Sequence, residues 1–148
     1  MIEPQGRVAF SASAYCYHEG AILLVQHKVH GWVPPGGEVE ANETPRQAIM
    51  RELHEELGWQ VDKDYQFGLA NNASCGPSEI LDYDEHQAGP KGLHCNFSFL
   101  VCATTRTIRS CDEFIGYGWF TPSTVVPHLR YNVDVHMARV FGLMAVKS

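Results

Sequence analysis

Two prolines followed at once by two glycines, Pro34-Pro35-Gly36-Gly37, constrain this chain more than any other feature. Proline offers no backbone donor and fixes φ, and glycine weakens any regular element, so the stretch Trp32–Gly37 reads as a shaped loop rather than a helix or a central strand. A punctuated helix follows. Thr44 is a good N-cap, Pro45 fits the first helical position, and Gln47 completes a capping box with Thr44. Gly58 supplies the C-terminal stop. Between them Ile49, Leu53 and Leu57 recur every four residues and predict an apolar stripe facing a core. The fold must therefore place one short, fully capped helix directly behind a tight loop.

The flanks read mostly as strands. Arg7–Tyr17 alternates Val8, Phe10, Ala12 and Ala14 with smaller or polar neighbours, at the period of a strand. His18-Glu19-Gly20 is a turn, and Ala21–Gln26 completes a hairpin. Further strands are predicted over Tyr65–Ala70, Leu93–Ala103 and Phe114–Phe120, with a long loop over Gly76–Gly92. Asn132 caps a last helix carrying Val133, Met137, Val140 and Met144 on one side. Strands before and after a helix, with a second helix at the end, predict an α/β fold: a mixed sheet covered on both faces. The 148 residues suit a single domain over 1–148, and 45% apolar against 19% charged residues is a globular composition.

The capped helix has a second face. Glu52, Glu55 and Glu56 stand at i, i+3 and i+4, so their side chains emerge together. Ionised, they repel one another, and the last two sit near the C-terminal end, where the helix dipole also disfavours anions. In an arbitrary chain such a run is a solvated acidic surface. The alternative is a seat for hard divalent cations, which take oxygen ligands and bridge carboxylates to phosphates. Gly36-Gly37 gives a backbone that can approach a ligand closely, and Glu43 and Arg51 could pair to brace loop against helix.

Gly37, five residues, Glu43, seven residues, then Arg51-Glu52-Leu53-His54-Glu55-Glu56-Leu57-Gly58-Trp59 resembles the Nudix box of the Nudix hydrolases. The hairpin ahead of Trp32–Glu40 and the late Gly118-Trp119-Phe120-Thr121-Pro122 are similar to the family's flanks. The resemblance implies the Nudix fold, an α/β/α sandwich around a mixed sheet. It implies hydrolysis of a nucleoside diphosphate linked to another moiety, dependent on Mg²⁺ or Mn²⁺. By position, Glu52, Glu55 and Glu56 would be catalytic metal ligands, with the Gly36 carbonyl a further candidate. Arg51 would support them, and Gly37 and Glu43 would complete the structural brace. Family members differ on whether Glu52 also positions or deprotonates the attacking water. A fourth carboxylate often lies outside the box, and Glu113, six residues before Trp119, is the first candidate; Asp112, Glu79 and Glu85 are weaker ones. The resemblance favours MutT-like nucleoside triphosphate pyrophosphohydrolases, with ADP-ribose or a nucleotide sugar as rival substrates. A non-catalytic nucleotide-binding module is a further rival, though such modules typically lose box glutamates. A homodimer is common in the family.

Lesser expectations complete the reading. Glu79, Asp82, Asp84 and Glu85 form an acidic patch read as a solvated loop. His30 and His94 could touch substrate, and Trp32, Tyr83, Phe97 and Trp119 could stack on a base. Lys28, Lys91, Arg106 and Arg109 could meet phosphates. The five cysteines, an odd number with no CxxC pair, are expected to be reduced and mostly buried. The start of the chain lacks a basic region followed by a long apolar one, and no stretch approaches a membrane span, so the expected location is cytoplasmic. The formal net charge is −6, of which −4 falls between Gly37 and Trp59, where six glutamates face two arginines. That balance argues against general nucleic-acid binding while allowing a cation site that attracts a phosphate ligand.

Overall fold

In the computed structural model, residues 6–68, 79–109, 113–124, 129 and 132–147 are described. The chain runs β1 (Val8–His18), β2 (Ala21–His27), β3 (Gly31–Val33), β4 (Gly36–Glu38), α1 (Pro45–Leu57), β5 (Tyr65–Phe67), β6 (Ile80–Gln87), β7 (Leu93–Ala103), β8 (Gly116–Phe120) and α2 (Val133–Lys147). All eight strands share one sheet, ordered β3-β2-β1-β7-β5, with β4 on β1, β6 on β7 and β8 on β2. β1 and β7 run parallel over the register Val8↔Leu93 to Tyr17↔Cys102, and the other named strand pairs are antiparallel. The sheet is therefore mixed, as expected.

The alternation of β1 sorts its side chains between two cores. Ala12, Ala14 and Cys16 join Leu23, Val25, Phe99, Val101 and the α1 stripe Ile49, Leu53 and Leu57, with Trp59 and Tyr65 completing the cluster. Tyr15 points the other way and packs with Ile22, Leu24, Leu100 and the α2 side chains Val133, Met137 and Val140. A helix thus covers each face. Each fully buried leucine or isoleucine of α1 contributes about 1.5–3 kcal/mol, which fixes the helix to the sheet. Its ends are closed as the sequence predicts. Gln47 N donates to Thr44 Oγ1 at 3.1 Å and Thr44 N to Gln47 Oε1 at 2.9 Å. Gly58 adopts φ 75°, the left-handed stop.

Two expectations need correction. The Trp32–Gly37 stretch is not one loop. Gly31–Val33 pairs with β2 and Gly36–Glu38 pairs with β1, so only Pro34 and Pro35 stand outside the ladders. The prolines break the pairing, but the strands on either side survive because each is short and at a sheet edge. The long loop expected over 76–92 contains β6, which pairs with β7 from Ile80↔Phe99 to Gln87↔Leu93 with a bulge near Ile80/Asp82. Residues 76–78 lie outside the described residues. Asp82, Asp84 and His86 alternate with Tyr83 and Glu85, so polarity on both faces hid the strand period. Two boundaries also shift: β8 begins at Gly116 rather than Phe114, and β5 ends at Phe67, with 69–70 outside the described residues. Cys16, Cys95 and Cys102 are buried, while Cys75 and Cys111 fall outside the described residues. No described helix is long and apolar enough to cross a membrane.

Candidate active site

The site is built where β4 meets α1. Arg51 donates from Nε and Nη2 to the two oxygens of Glu43 at 2.8 and 3.0 Å, and from Nη2 to the Glu38 carbonyl at 2.9 Å. Glu43 in turn accepts from Glu40 N at 2.9 Å. This forked pair ties the helix to the chain between β4 and α1; Arg51 is shifted further up and Glu43 down, each chiefly by their mutual hydrogen bonds. The expected brace is present in the geometry.

With the helix so held, the box glutamates separate into two environments. Glu52 and Glu56 are buried, at 9% and 7% exposure. Glu55 is half exposed and lies 3.2 Å from Arg51 Nη1. The structure brings Glu113 to the buried pair: one oxygen from each of Glu52, Glu56 and Glu113 lies within 4.8 Å of the others. Glu55 is not part of that cluster. The expectation of three clustered box glutamates thus becomes, in the geometry, two box glutamates joined by one residue from the segment before β8. Of the weaker candidates, Glu79 pairs with Arg46 at 3.3 Å and Glu85 accepts from Tyr83 Oη at 2.8 Å, while Asp112 lies outside the described residues.

The two glycines are explained by what crowds them. Gly36 N donates to Glu56 Oε1 at 3.1 Å, and a Cβ on Gly36 would collide with the Ala12 carbonyl. A Cβ on Gly37 would collide with Glu52 Oε2. Gly36 lets β4 close on β1 while its N–H holds Glu56, and Gly37 leaves room for the Glu52 carboxyl, which is why the residue types at 36, 37, 52 and 56 belong together. Burial is the main cause that raises both carboxyls, Glu52 to about 7 and Glu56 to about 8, with Glu113 and the neighbouring glutamates adding to it. Three carboxyl oxygens held this close, two of them on buried side chains whose negative charge burial disfavours, form a donor set that a hard divalent cation would stabilise by displacing the protons.

A cleft of about 230 Å³ opens beside the cluster, walled at one end by Gly36, Gly37, Glu56 and Phe114. Its floor is the face of β1 and β7 that carries Ser11, Ser13 and Asn96. Ser11 Oγ donates to Asn96 Oδ1 at 2.9 Å, and Asn96 Nδ2 donates to Ser13 and Ser98 Oγ at 3.2 and 3.1 Å. Of the two faces of β7, the Asn96 face therefore meets the cleft, while Phe99 lies in the α1 core. His30 and His94, named from the sequence, line the cleft, and so do His27, His86 and His136, which were not. His94 is tied to Glu38 at 3.2 Å, His86 to Asp84 at 2.8 Å and His136 to Asp82 at 3.0 Å. Asp82, Asp84 and Glu85 are accordingly strand residues with partners, a correction to the solvated loop expected there. Arg7 grips Glu38 from both terminal nitrogens at 2.7 and 2.9 Å and holds its carboxyl down near about 2. No motif signals the extra histidines; only strand pairing gathers them.

The remaining aromatic and cationic candidates mostly lie elsewhere. Trp32 packs edge-on against Phe120, Trp119 stacks on Trp59, and Tyr83 and Phe97 meet on the opposite face from Asn96. Arg106 lies over the Trp119 ring, and Arg109 binds the Gly58 carbonyl and Asp64. Lys28 is exposed and Lys91 lines the cleft.

A mixed sheet between two helices, with the capped helix presenting buried glutamates to a glycine pair, is the architecture of the Nudix hydrolases, and the chain belongs to the NUDIX domain family, which it matches over residues 7–141. It is similar to a MutT-like protein of Streptomyces ambofaciens, with 36% identity over 108 residues, covering 72% of this chain and 59% of that one. It also resembles an 8-oxo-dGTP diphosphatase of Proteus vulgaris, 35% identical over 60 residues, covering 37% of this chain and 54% of the relative. The matches thus span little more than half the length of either relative. Among solved structures, a NUDIX-family hydrolase from Clostridium perfringens shares the fold at TM-score 0.75 and 21% identity, covering 92% of this chain and 97% of that one.

Proposed function

We propose that this chain hydrolyses a phosphoanhydride bond in a nucleoside diphosphate linked to another group, with Mg²⁺ or Mn²⁺ held by Glu52, Glu56 and Glu113. The preferred substrate is a (deoxy)nucleoside triphosphate, cleaved to monophosphate and pyrophosphate. The observation that carries the reading is the convergence of those three carboxylates beside a glycine pair and a cleft. The name of the Proteus vulgaris relative, an 8-oxo-dGTP diphosphatase, supports the triphosphate. A bound divalent cation would neutralise the polyanion and lower the pKa of a coordinated water.

The protein's own residues do the rest. Gly37 leaves room for the Glu52 carboxyl, and Gly36 N–H fixes one oxygen of Glu56, so both carboxyls face the cluster that would hold the cation and, through it, the substrate phosphates. Glu52, facing the carboxylate cluster, is the group that the sequence pattern assigns to position or deprotonate the attacking water. Glu55 and the Gly36 carbonyl are further ligands that the sequence pattern assigns. Arg51 keeps α1 in register with β4 and touches no substrate.

The test is a screen of nucleoside triphosphates, ADP-ribose, nucleotide sugars and dinucleoside polyphosphates with Mg²⁺ and with Mn²⁺, compared by kcat/KM. The expected result is highest kcat/KM on a triphosphate and pyrophosphate as product, lost by orders of magnitude in Glu56→Gln. Calorimetric binding with no turnover on any anhydride would replace the enzyme by a nucleotide-binding module. A preference for ADP-ribose would keep the chemistry and overturn the substrate.

A further inference from the structure

A nucleotide needs a surface for its base as well as for its phosphates, and the described rings of this cleft differ sharply in what they can offer. Tyr15 and His136 are buried at 2% exposure each and are bonded to one another, Tyr15 Oη to His136 Nδ1 at 3.0 Å. Phe114 is a core residue at 7% exposure. His86 and His94 meet edge to face, at 68° between ring planes, and each is tied to a carboxylate. His27 and His30 are arranged differently, ring against ring. Their ring centroids lie 4.6 Å apart and their planes are inclined by only 32°. Both are partly exposed and both line the cleft. Among the ring pairs described in the cleft, theirs is the closest and the least inclined.

The hairpin holds this pair in place. His27 ends β2, and its Nδ1 accepts the backbone N–H of Val29 at 3.1 Å and of His30 at 3.4 Å. An acceptor at Nδ1 puts the ring proton on Nε2, which makes His27 a donor there. Gly31, opposite His27 in the β2–β3 register and at φ 75°, turns the chain back. The pair also stands next to the carboxylate cluster by strand pairing. Ile115 N donates to the Gln26 carbonyl at 2.8 Å, and Gly116 is in register with Gln26. The segment that carries Glu113 therefore runs beside the residue preceding His27. His30 is also six residues before Gly36, at most about 20 Å of extended chain. The ring pair and Glu56 line the same cleft, so a planar group on the rings and phosphates at the carboxylates would share it.

We propose that the His27–His30 ring pair is the surface on which the substrate's nucleobase stacks, with the His27 Nε2–H as a donor to it. The proposal deepens the nucleotide reading above and rests on it. Imidazole faces are small, so the contact is sequence-tolerant stacking sharpened by one donor rather than an apolar slot.

The experiment is a proton NMR titration of the full chain in EDTA, where no hydrolysis occurs, following the ring protons of His27 and His30. Adenosine and guanosine are the probes and ribose is the control. The expected result is an upfield ring-current shift of both histidines with the nucleosides and none with ribose. His30→Ala weakens nucleoside binding by about tenfold or more, on the usual scale of base stacking, while His30→Phe keeps it. On whichever substrate the screen identifies, His30→Ala raises KM by a similar factor with kcat little changed. Equal shifts with ribose, no shift with any nucleoside at millimolar concentration, or undiminished binding by His30→Ala would overturn the assignment. Because the titration needs neither metal nor turnover, loss of hydrolysis and loss of this contact are read separately.

Discussion

Replacing Glu56 by glutamine is expected to stabilise the metal-free protein while abolishing its proposed activity, and the size of the gain is set by pH. Burial and the neighbouring carboxylates raise Glu56 from its ordinary value of 4.5 to about 8. Across that interval the unfolded chain carries the carboxylate ionised while the folded chain keeps it protonated. The folded state then binds more protons, so wild-type stability falls as pH rises from about 4.5 and levels off only above about 8. At about 1.4 kcal/mol per unit of difference, the penalty is about 1 kcal/mol at pH 5 and about 4 kcal/mol at pH 8. Glutamine carries no such penalty. Its oxygen can still accept from Gly36 N, and its amide can donate toward Glu52 and Glu113, which lie within the same cluster. For a chain of this size roughly 2–4 °C accompanies each kcal/mol. Thermal melts in EDTA should therefore show Glu56→Gln above wild type by about 8 °C or more at pH 8 and by only a few degrees at pH 5. Adding Mn²⁺ should raise the wild-type melting temperature and leave the variant nearly unmoved, because one ligand oxygen set has lost its charge. A variant that melts at or below wild type at pH 8, or a gap of equal size at both pH values, would refute the idea that an uncompensated buried charge is stored here for a cation.

Three further outcomes follow from the same geometry. Gly37→Ala places a methyl group against Glu52 Oε2, the movable end of a side chain, so the fold should persist with a melting temperature within a few degrees of wild type. Turnover and Mn²⁺ affinity, the latter read by calorimetry, should each fall by at least about tenfold, on the scale of disturbed ligand positioning. Arg51→Ala leaves Glu43 and the Glu38 carbonyl without their shared donor and should cost about 2 kcal/mol in urea unfolding, after allowance for solvent at the edge of the pair. Arg51→Lys should recover little of it, since lysine lacks the fork that spans both Glu43 oxygens. Thr44→Ala removes the N-cap and should lower stability by about 1 kcal/mol with kcat/KM nearly unchanged, because the cap lies at the far end of α1 from Glu56.

A residue's role is legible in the sequence when that role is local. Thr44, Pro45, Gln47 and Gly58 act within one turn of their own position, so the helix limits could be read from them directly. The Glu43–Arg51 pair spans less than three turns and was legible for the same reason. β6 was not, because Asp82, Asp84 and His86 alternate with Tyr83 and Glu85, and a strand polar on both faces carries no hydrophobic period. Pro34 and Pro35 signal a break in regular structure, yet the ladders on either side depend on partners 11 to 13 in β1 and 25 to 27 in β2, which no local signal names.

By itself, the sequence determined the capped helix, the acidic face it carries and the glycine pair before it, because helix periodicity and backbone sterics operate over a few residues. Only the tertiary structure decided which carboxylates meet. Glu52 and Glu56 turn inward with Glu113, brought from 57 residues beyond Glu56 by the pairing of β8 with β2, while Glu55, between them in sequence, faces Arg51 and solvent. The cleft's histidines are gathered in the same way, from β2 and the turn after it, β6, β7 and α2. Such sites form where strands are laid side by side, and the order in which they are laid is a property of the whole sheet.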